Sequence, residues 1–343
     1  MIPKQSKHDW LSRRELFKAG AIGLAGMGVG GSRVLAQEGE VVAAPPAQAP
    51  VESMPQGAGF YRFMVGDLEV GLIADGGFVA PASVFGANQP EEVVAEHARR
   101  NFADPAAMQC HIHGLVVKTA EGVVLIDTGC GNNFGPTAGS LVKNLGHFGV
   151  KPQEVTTVIL THLHVDHIGG IVGGEGAATF PEAQYVVAGA EVDFWTGEAD
   201  LSQSSIDPNM WDFFKDLARQ SVANAGDRLV RVRPGGEVVP GISTIALPGH
   251  TPGHLGVMID SGGETLLYVS DLMHNAKIQM ANPTWHVAFD TDPNQAVQTR
   301  QQTLDRVAVE KLMIAGAHLP FPAVGHVRAM GAGYEWEPVA WSW

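Results

Sequence analysis

The sequence predicts an α+β fold in which two β-sheets pack face to face with helices outside. Two observations predict it: strand-like segments come in two successive rounds, and helical patterns separate and follow them. In the first round, residues 61–65 and 68–73 flank Gly66-Asp67 as a hairpin, and residues 110–118 and 123–126 flank Ala120-Glu121-Gly122 as another. Residues 155–160 form a buried, β-rich apolar run. Helical periodicity runs through residues 91–100, 140–148, 190–195, 211–222 and 293–307. The second round of strands covers residues 243–247, 255–259, 265–269 and 312–315. No short-period repeat is present, which argues against a solenoid.

Composition narrows the function classes. The chain of 343 residues is 45% hydrophobic and 17% charged, enough for a large buried core and too apolar for a disordered protein. Its formal net charge of −14 argues against a nucleic-acid partner, whose phosphates need a basic surface. Two cysteines are too few for a disulfide scaffold or a cysteine zinc finger, whereas 14 histidines invite a metal reading. No apolar run reaches the roughly 20 residues of a membrane helix, so stable membrane insertion is not expected.

The N-terminus has the layout of a twin-arginine export signal. Arg13-Arg14 precede a weakly apolar stretch to Gly31, and Val34-Leu35-Ala36 supplies a small-residue cleavage site. The six glycines from Gly20 to Gly31 would cost a helix roughly 1 kcal/mol each, which disfavours an amphipathic helix. Cleavage after Ala36 would leave 16 basic and 34 acidic residues, a charge of −18. The reading is a signal over residues 1–36, a flexible Pro/Ala-rich leader over 37–58, and one catalytic domain over 59–343, in a periplasmic or secreted protein. Twin-arginine export carries folded proteins, which suits a chain that takes up its metal before leaving the cell.

The chemistry concentrates after the apolar run at 155–160, in Thr161-His162-Leu163-His164-Val165-Asp166-His167. In extended chain, His162 and His164 share a face; as the chain turns into a helix, Asp166 and His167 swing toward a second point. One loop can thus supply half the ligands of two adjacent metals. Further candidates stand at later strand ends: His250 in a Pro/Gly turn, Asp271 after Val269-Ser270, and His318 after Ala315-Gly316-Ala317. His254 reads as a supporting or packing residue. Histidine and carboxylate ligands fit zinc, with manganese, cobalt and iron as alternatives.

These residues resemble the metallo-β-lactamase fold hydrolases, from Phe60 to the C-terminus. The HxHxDH run and Leu125-Ile126-Asp127-Thr128-Gly129 carry the resemblance. It implies a four-layer αββα sandwich with the site along one edge of the sheets. It implies His162, His164 and His250 on one ion, Asp166, His167 and His318 on the other, Asp271 bridging both, and Asp127 as a support behind the ligands. Within the family, Asn133-Phe134-Gly135-Pro136-Thr137, Asp193-Phe194-Trp195, Phe213-Phe214-Lys215 and the tail His318 to His326 are similar to methyl parathion hydrolases and related lactonases. That similarity implies an aromatic pocket of Phe134, Trp195 and Phe213, with Phe214 the candidate to turn inward instead. Three residues past Asp271 this chain departs from the pattern: His274 stands where methyl parathion hydrolases carry an apolar Leu and acyl-homoserine lactonases place a Tyr nearby. With Phe289 narrowing the pocket, a polar His274 suits a lactone or ester carbonyl better than a bulky thiophosphate.

The expectation is a hydrolase with two divalent metals, zinc before manganese, cobalt or iron, using a metal-bridging hydroxide, with Asp271 and His274 as catalytic groups and lactones or aryl esters as substrates. Organophosphate hydrolysis is a secondary activity on this reading. A dedicated organophosphate hydrolase, a β-lactamase and a mononuclear iron sulfur dioxygenase are the alternatives within the fold. No G-x-S-x-G motif occurs, which disfavours a serine esterase. Relatives that dimerise leave a homodimer open beside a monomer. Cys110 and Cys130 lie nearly opposite each other if the hairpin turns near Ala120 to Gly122; a one-residue shift of register separates them, so a disulfide stays open.

Overall fold

In the computed structural model, residues 57–173 and 177–341 are described. The export signal and all but the end of the leader therefore lie outside the described residues. The strands of the first sheet are β1 (Phe60–Val65), β2 (Leu68–Ala80), β3 (Met108–Thr119), β4 (Gly122–Ile126), β5 (Val155–Ile159), β6 (Gln184–Ala188) and β7 (Leu229–Val232), lying side by side in chain order. The second sheet contains β8 (Glu237–Val239), β9 (Ile242–Ala246), β10 (Leu255–Ser261), β11 (Glu264–Ser270), β12 (Met313–Gly316), β13 (Val324–Met330) and β14 (Gly333–Pro338), again in sequential order. Helices α1 (Glu91–Arg100), α2 (Leu141–Phe148), α3 (Val165–Ile168), α4 (Gly189–Thr196), α5 (Pro208–Ala225), α6 (Ala276–Gln279) and α7 (Pro293–Glu310) complete the αββα sandwich.

Strict alternation assigns the two faces of the first sheet. Leu115, Val117, Val124, Ile126, Ile159 and Val186 point into the core between the sheets, where they meet Val257, Ile259, Leu266 and Tyr268. Their neighbours Val116, Leu125, Val158, Tyr185 and Val187 point the other way, into a second core with residues of α2, α4 and α5. The Tyr268 hydroxyl donates to the His113 carbonyl at 2.9 Å, joining the sheets through their shared core. On the far side, Leu304 and Val307 of α7 pack into the same cluster as the second sheet. Helices α5 and α7 start alike: Asp207 and Asp292 cap them by accepting from Asn209 and Gln295 backbone N–H, and Pro208 and Pro293 occupy the first turn.

Strand directions put the site in one place. β4 and β5 run parallel, as do β11 and β12, while β9 reaches the direction of β11 through two antiparallel pairings with β10. Within each sheet, the strands that lead into Asp127 and His162, or into His250, Asp271 and His318, therefore end at the same edge. The expected hairpins form with registers Val65↔Leu68 and Thr119↔Gly122.

Four strands and a hairpin partner escape the sequence pattern. β6 is a short run buried on both faces, β7 and β8 are short with exposed residues, and β13 and β14 form a largely polar outer hairpin. The cysteines are both free and buried. The β3–β4 ladder pairs Leu115 with Ile126, so its continuation would set Cys130 against His111 and not Cys110; β4 in any case ends at Ile126. The one-residue slip decides against the disulfide.

Replacing Leu115 by Ala, which is fully buried between the sheets, should destabilise the domain by about 2–5 kcal/mol, whereas Val79→Ala, 61% exposed, should change little. Chemical denaturation of the two variants checks this, and equal midpoints would contradict the assignment of the core.

Candidate metal centre

Strain marks two of the strand ends that build the site. Asp127 after β4 and Ser270 at the end of β11 are non-glycine residues with positive φ, 62° and 47°. The backbone turns sharply there and aims Asp127 and Asp271 inward. After β5 the chain stays extended through His164, which caps α3, and Asp166 and His167 lie in that single turn. In the Pro248-Gly249-His250 turn, Gly249 has φ +125° and a Cβ there would lie 2.2 Å from the Ala296 nitrogen. A side chain on Gly253 would meet the backbone nitrogen of Glu191 at 2.4 Å. The glycines are therefore dictated by how closely α7 and α4 approach the turn.

The seven predicted ligand residues come together. Donor atoms of His162, His164, His250 and Asp271 lie within 4.8 Å of one another, as do those of Asp166, His167 and His318. Six of the seven are buried, and Asp166 is nearly so. The His250 Nε2 is 3.2 Å from the His162 Nε2 and 2.9 Å from the His164 Nδ1. Asp271 stands between the groups: its Oδ2 is 3.2 Å from the His250 Nε2 and 2.9 Å from the His318 Nε2, and its Oδ1 is 3.2 Å from the His167 Nε2.

The far side of several rings is already committed. His167 Nδ1 donates to Asp127 Oδ2 at 2.8 Å, His250 Nδ1 to Asp290 Oδ1 at 2.9 Å, and His318 Nδ1 to the His111 carbonyl at 2.5 Å. Each therefore turns its Nε2 inward. His167 Nε2 is buried with no hydrogen-bond partner. Burial, reinforced by the charge of neighbouring histidines, holds His162 and His164 well below the ordinary imidazole pKa, so both are neutral donors. These two neutral nitrogens, crowded with His250 Nε2 beside the Asp271 carboxylate, fit a divalent cation. Burial opposes protonation of His250, but its hydrogen bonds to Asp271 and Asp290 raise it to about 9. Protons thus compete with a cation at this nitrogen.

Supports surround the ligands. Asp127 also accepts from the Thr161 backbone N–H at 2.9 Å and from its hydroxyl, tying the end of β4 to the head of the histidine loop. His254 accepts from the Asp271 N–H at 3.3 Å while its Nδ1 donates to the Leu247 carbonyl, the supporting position expected for it. Glu191, fully buried at the start of α4, accepts from Leu163 N–H and Gly253 N–H, both at 2.9 Å, and from Trp195 Nε1 at 2.6 Å. It clamps the loop of His162 and His164 to that of His250. Glu191, Asp290 and the buried Arg300 carry no sequence signal that separates them from surface charges.

Above the ligands lies a pocket lined by Phe78, Phe134, Phe214, Phe289 and His274 with His164, Asp166, His250, Asp271 and His318. Phe134, Phe289 and His274 stand where the sequence places them. Trp195 and Phe213 do not. Trp195 is fully buried, its ring edge-on to His164 at 5.3 Å, so it backs a ligand instead of facing a substrate. On α5 the buried residues Trp211, Phe214, Ala218, Ser221 and Ala225 follow the helical repeat, which turns Phe214 inward and leaves Phe213 beside that face. Phe78, from the extension of β2 beyond the predicted strand, completes the wall with its ring 4.9 Å from Phe134. His274 is buried, its Nε2 lies 3.2 Å from Asp271 Oδ2, and its Nδ1 has no partner. It also forms a third possible ligand group with Asp271 and His318.

A family model described as the metallo-beta-lactamase superfamily matches residues 109–318, which contain every candidate ligand. A protein named as a probable metallo-hydrolase from Mycobacterium bovis is 28% identical over 199 residues, covering 49% of this chain. The chain spans only 58% of that relative's length. An N-acyl homoserine lactonase from Bacillus thuringiensis is 27% identical over 225 residues, 59% of this chain and 79% of the relative. Among solved structures, AidC, described as a dizinc quorum-quenching lactonase in complex with a product, N-hexnoyl-L-homoserine, superposes with a TM-score of 0.80 at 29% identity, covering 83% of this chain and 98% of its own. The hydrolase AbOPH, described as in the beta lactamase superfamily, gives 0.77 at 30% identity over 84% of this chain and all of its own.

The chelated protein should take up two equivalents of Zn²⁺, and its affinity should rise from pH 6 to pH 8, because His250, raised to about 9, releases its proton on binding. Competition with a chromophoric chelator at the two pH values measures both; tighter binding at pH 6 would contradict the ligand assignment.

Proposed function

The chain belongs to the metallo-beta-lactamase superfamily, and on that footing we propose that it is a binuclear metal-dependent hydrolase of lactones and aryl esters. The observation that carries this reading is Asp271 placed between two histidine-carboxylate groups at the floor of an aromatic cavity. The likeness to AidC, a dizinc lactonase by its description, supports zinc and a lactone substrate.

His162, His164, His250 and Asp271 would hold one cation, and Asp166, His167, His318 and Asp271 the other. When bound, such a pair supplies Lewis-acid polarisation of an ester carbonyl and lowers the pKa of water to about 7. The protein's part is to orient, exclude water and move a proton. Phe78, Phe134, Phe214 and Phe289 receive the acyl or aryl part of the ester and keep bulk water from the floor. His274 faces that cavity and presents a polar ring to the carbonyl end of the substrate. As water adds to the carbonyl carbon and the C–O bond to the leaving oxygen breaks, Asp271 takes the proton of the attacking water and returns it to the leaving oxygen. Water and a lactone thus give a hydroxy acid, and no protein nucleophile is consumed.

A pocket walled by four phenylalanines suits a flat aryl group or an acyl chain. Thiophosphate triesters are slower substrates on this reading. We also propose that the Arg13-Arg14 segment directs export by the twin-arginine route to the periplasm or beyond, a reading supported by the sequence alone.

Turnover of a panel of acyl lactones, aryl esters, thiophosphates and cephalosporins should be highest for the first two, fall to background after chelation and return with Zn²⁺. Full activity in the metal-stripped protein would overturn the mechanism. His274→Ala should lower kcat/KM for lactones by roughly 100–1,000-fold, the range for losing a positioned polar contact to the reacting group; an unchanged kcat/KM would remove His274 from the reaction.

A further inference from the structure

Deep behind His250 lies an ion pair that the proposed chemistry does not use. Asp290 and Arg300 are each only 1% exposed. Asp290 Oδ1 accepts from His250 Nδ1 at 2.9 Å, and its Oδ2 accepts from the Val287 N–H and lies 3.6 Å from Arg300 Nη2. The guanidinium is held by carbonyls on three residues: Nε donates to Leu272 at 2.8 Å, and Nη1 to Pro283 and Trp285, each at 3.0 Å. Its planar fork therefore fixes the residue after Asp271, the loop leading to Phe289, and Asp290 in one frame.

The backbone around His250 is held independently. Thr291 N–H donates to the His250 carbonyl and Asp292 N–H to the Gly249 carbonyl, both at 2.9 Å. With Oδ2 taken by Val287 and Arg300, Asp290 Oδ1 is left for the imidazole ring. By accepting the Nδ1–H it leaves the Nε2 lone pair facing His162, His164 and Asp271. The other ligand group has the same device, Asp127 on His167 Nδ1 at 2.8 Å. The two groups thus have one carboxylate-histidine pair each.

We propose that Asp290, pinned by Arg300, is a positioning residue that sets the tautomer and ring orientation of His250, and so tunes one of the two metal subsites independently of the other. The assignment rests on the metal reading above.

Zn²⁺ titration of the demetallated full chain against a competing chelator tests it. Asp290→Ala should weaken one of the two equivalents by roughly 10–100-fold and leave the other unchanged. Asp127→Ala should weaken the other one, and the double variant should show both losses additively. Asp290→Asn, which keeps an acceptor oxygen, should lose less. In the zinc-free protein, at a pH high enough that His250 carries a single ring proton, ¹⁵N-histidine NMR should show it as the Nδ1–H tautomer, a signature that Asp290→Ala erases. Equal weakening of both equivalents by Asp290→Ala would mark a general structural role and overturn the proposal. So would a folded Asp290→Ala variant with unchanged affinity and unchanged tautomer. If the wild-type chain takes up no Zn²⁺, the metal reading fails, and the tautomer comparison alone then decides whether Asp290 sets His250.

Discussion

The structure depends on holding a crowd of donor atoms together out of water. Donor nitrogens of His162, His164 and His250 crowd together beside Asp271, in a region where burial excludes water. Such an arrangement is costly unless something positive sits among the donors. Much of the surrounding architecture serves to hold it. Two residues, Asp127 and Ser270, sit in strained left-handed backbone, two glycines admit close passage of neighbouring helices, and Glu191 spends a buried carboxylate on the backbone of two ligand loops. None of these features improves the packing of a sandwich as such.

The division of labour follows from topology. Strands that share a direction within a sheet bring their carboxyl ends to one edge, so residues far apart in sequence meet without a long loop to carry them. The first sheet supplies the histidine loop and Asp127; the second supplies His250, Asp271 and His318. The inter-sheet core, with Leu115 and Ile126 on one side and Val257 and Tyr268 on the other, is therefore also what fixes the distance between the halves of the site. Stability and site geometry are coupled through the same side chains.

What could be read from the sequence divides along physical lines. The ligands were legible because their chemistry is carried by residue type at short spacing, as in His162-Leu163-His164-Val165-Asp166-His167, and because each later ligand follows an apolar strand. The alternating strands β3 and β4 were legible for the same reason: their pattern is local. The cysteine question was not, since opposition across a hairpin depends on register, and a single residue moves Cys130 from Cys110 to His111. The pocket wall was half legible. Helical phase, set by Trp211 and Ala218, decides for Phe214 over Phe213, and Phe78 enters only because β2 runs on to Ala80. Asp290, Arg300 and Glu191 were invisible, because an isolated acid or base in sequence reveals neither its burial nor its partner.

Those invisible residues bear on how such a site can change. A substitution at a ligand removes a donor outright, whereas one at Asp290 or Arg300 alters how a donor is held. Arg300 reaches Leu272 beside Asp271 and Trp285 in the loop that leads to Phe289, so the ion pair connects His250, the neighbour of Asp271 and the pocket wall. A shift in that loop to admit a different substrate is therefore opposed by the same guanidinium that orients His250. The pocket wall and the ring of His250 are tied together here by one buried charge, and freeing one without the other requires that Asp290 find a new partner.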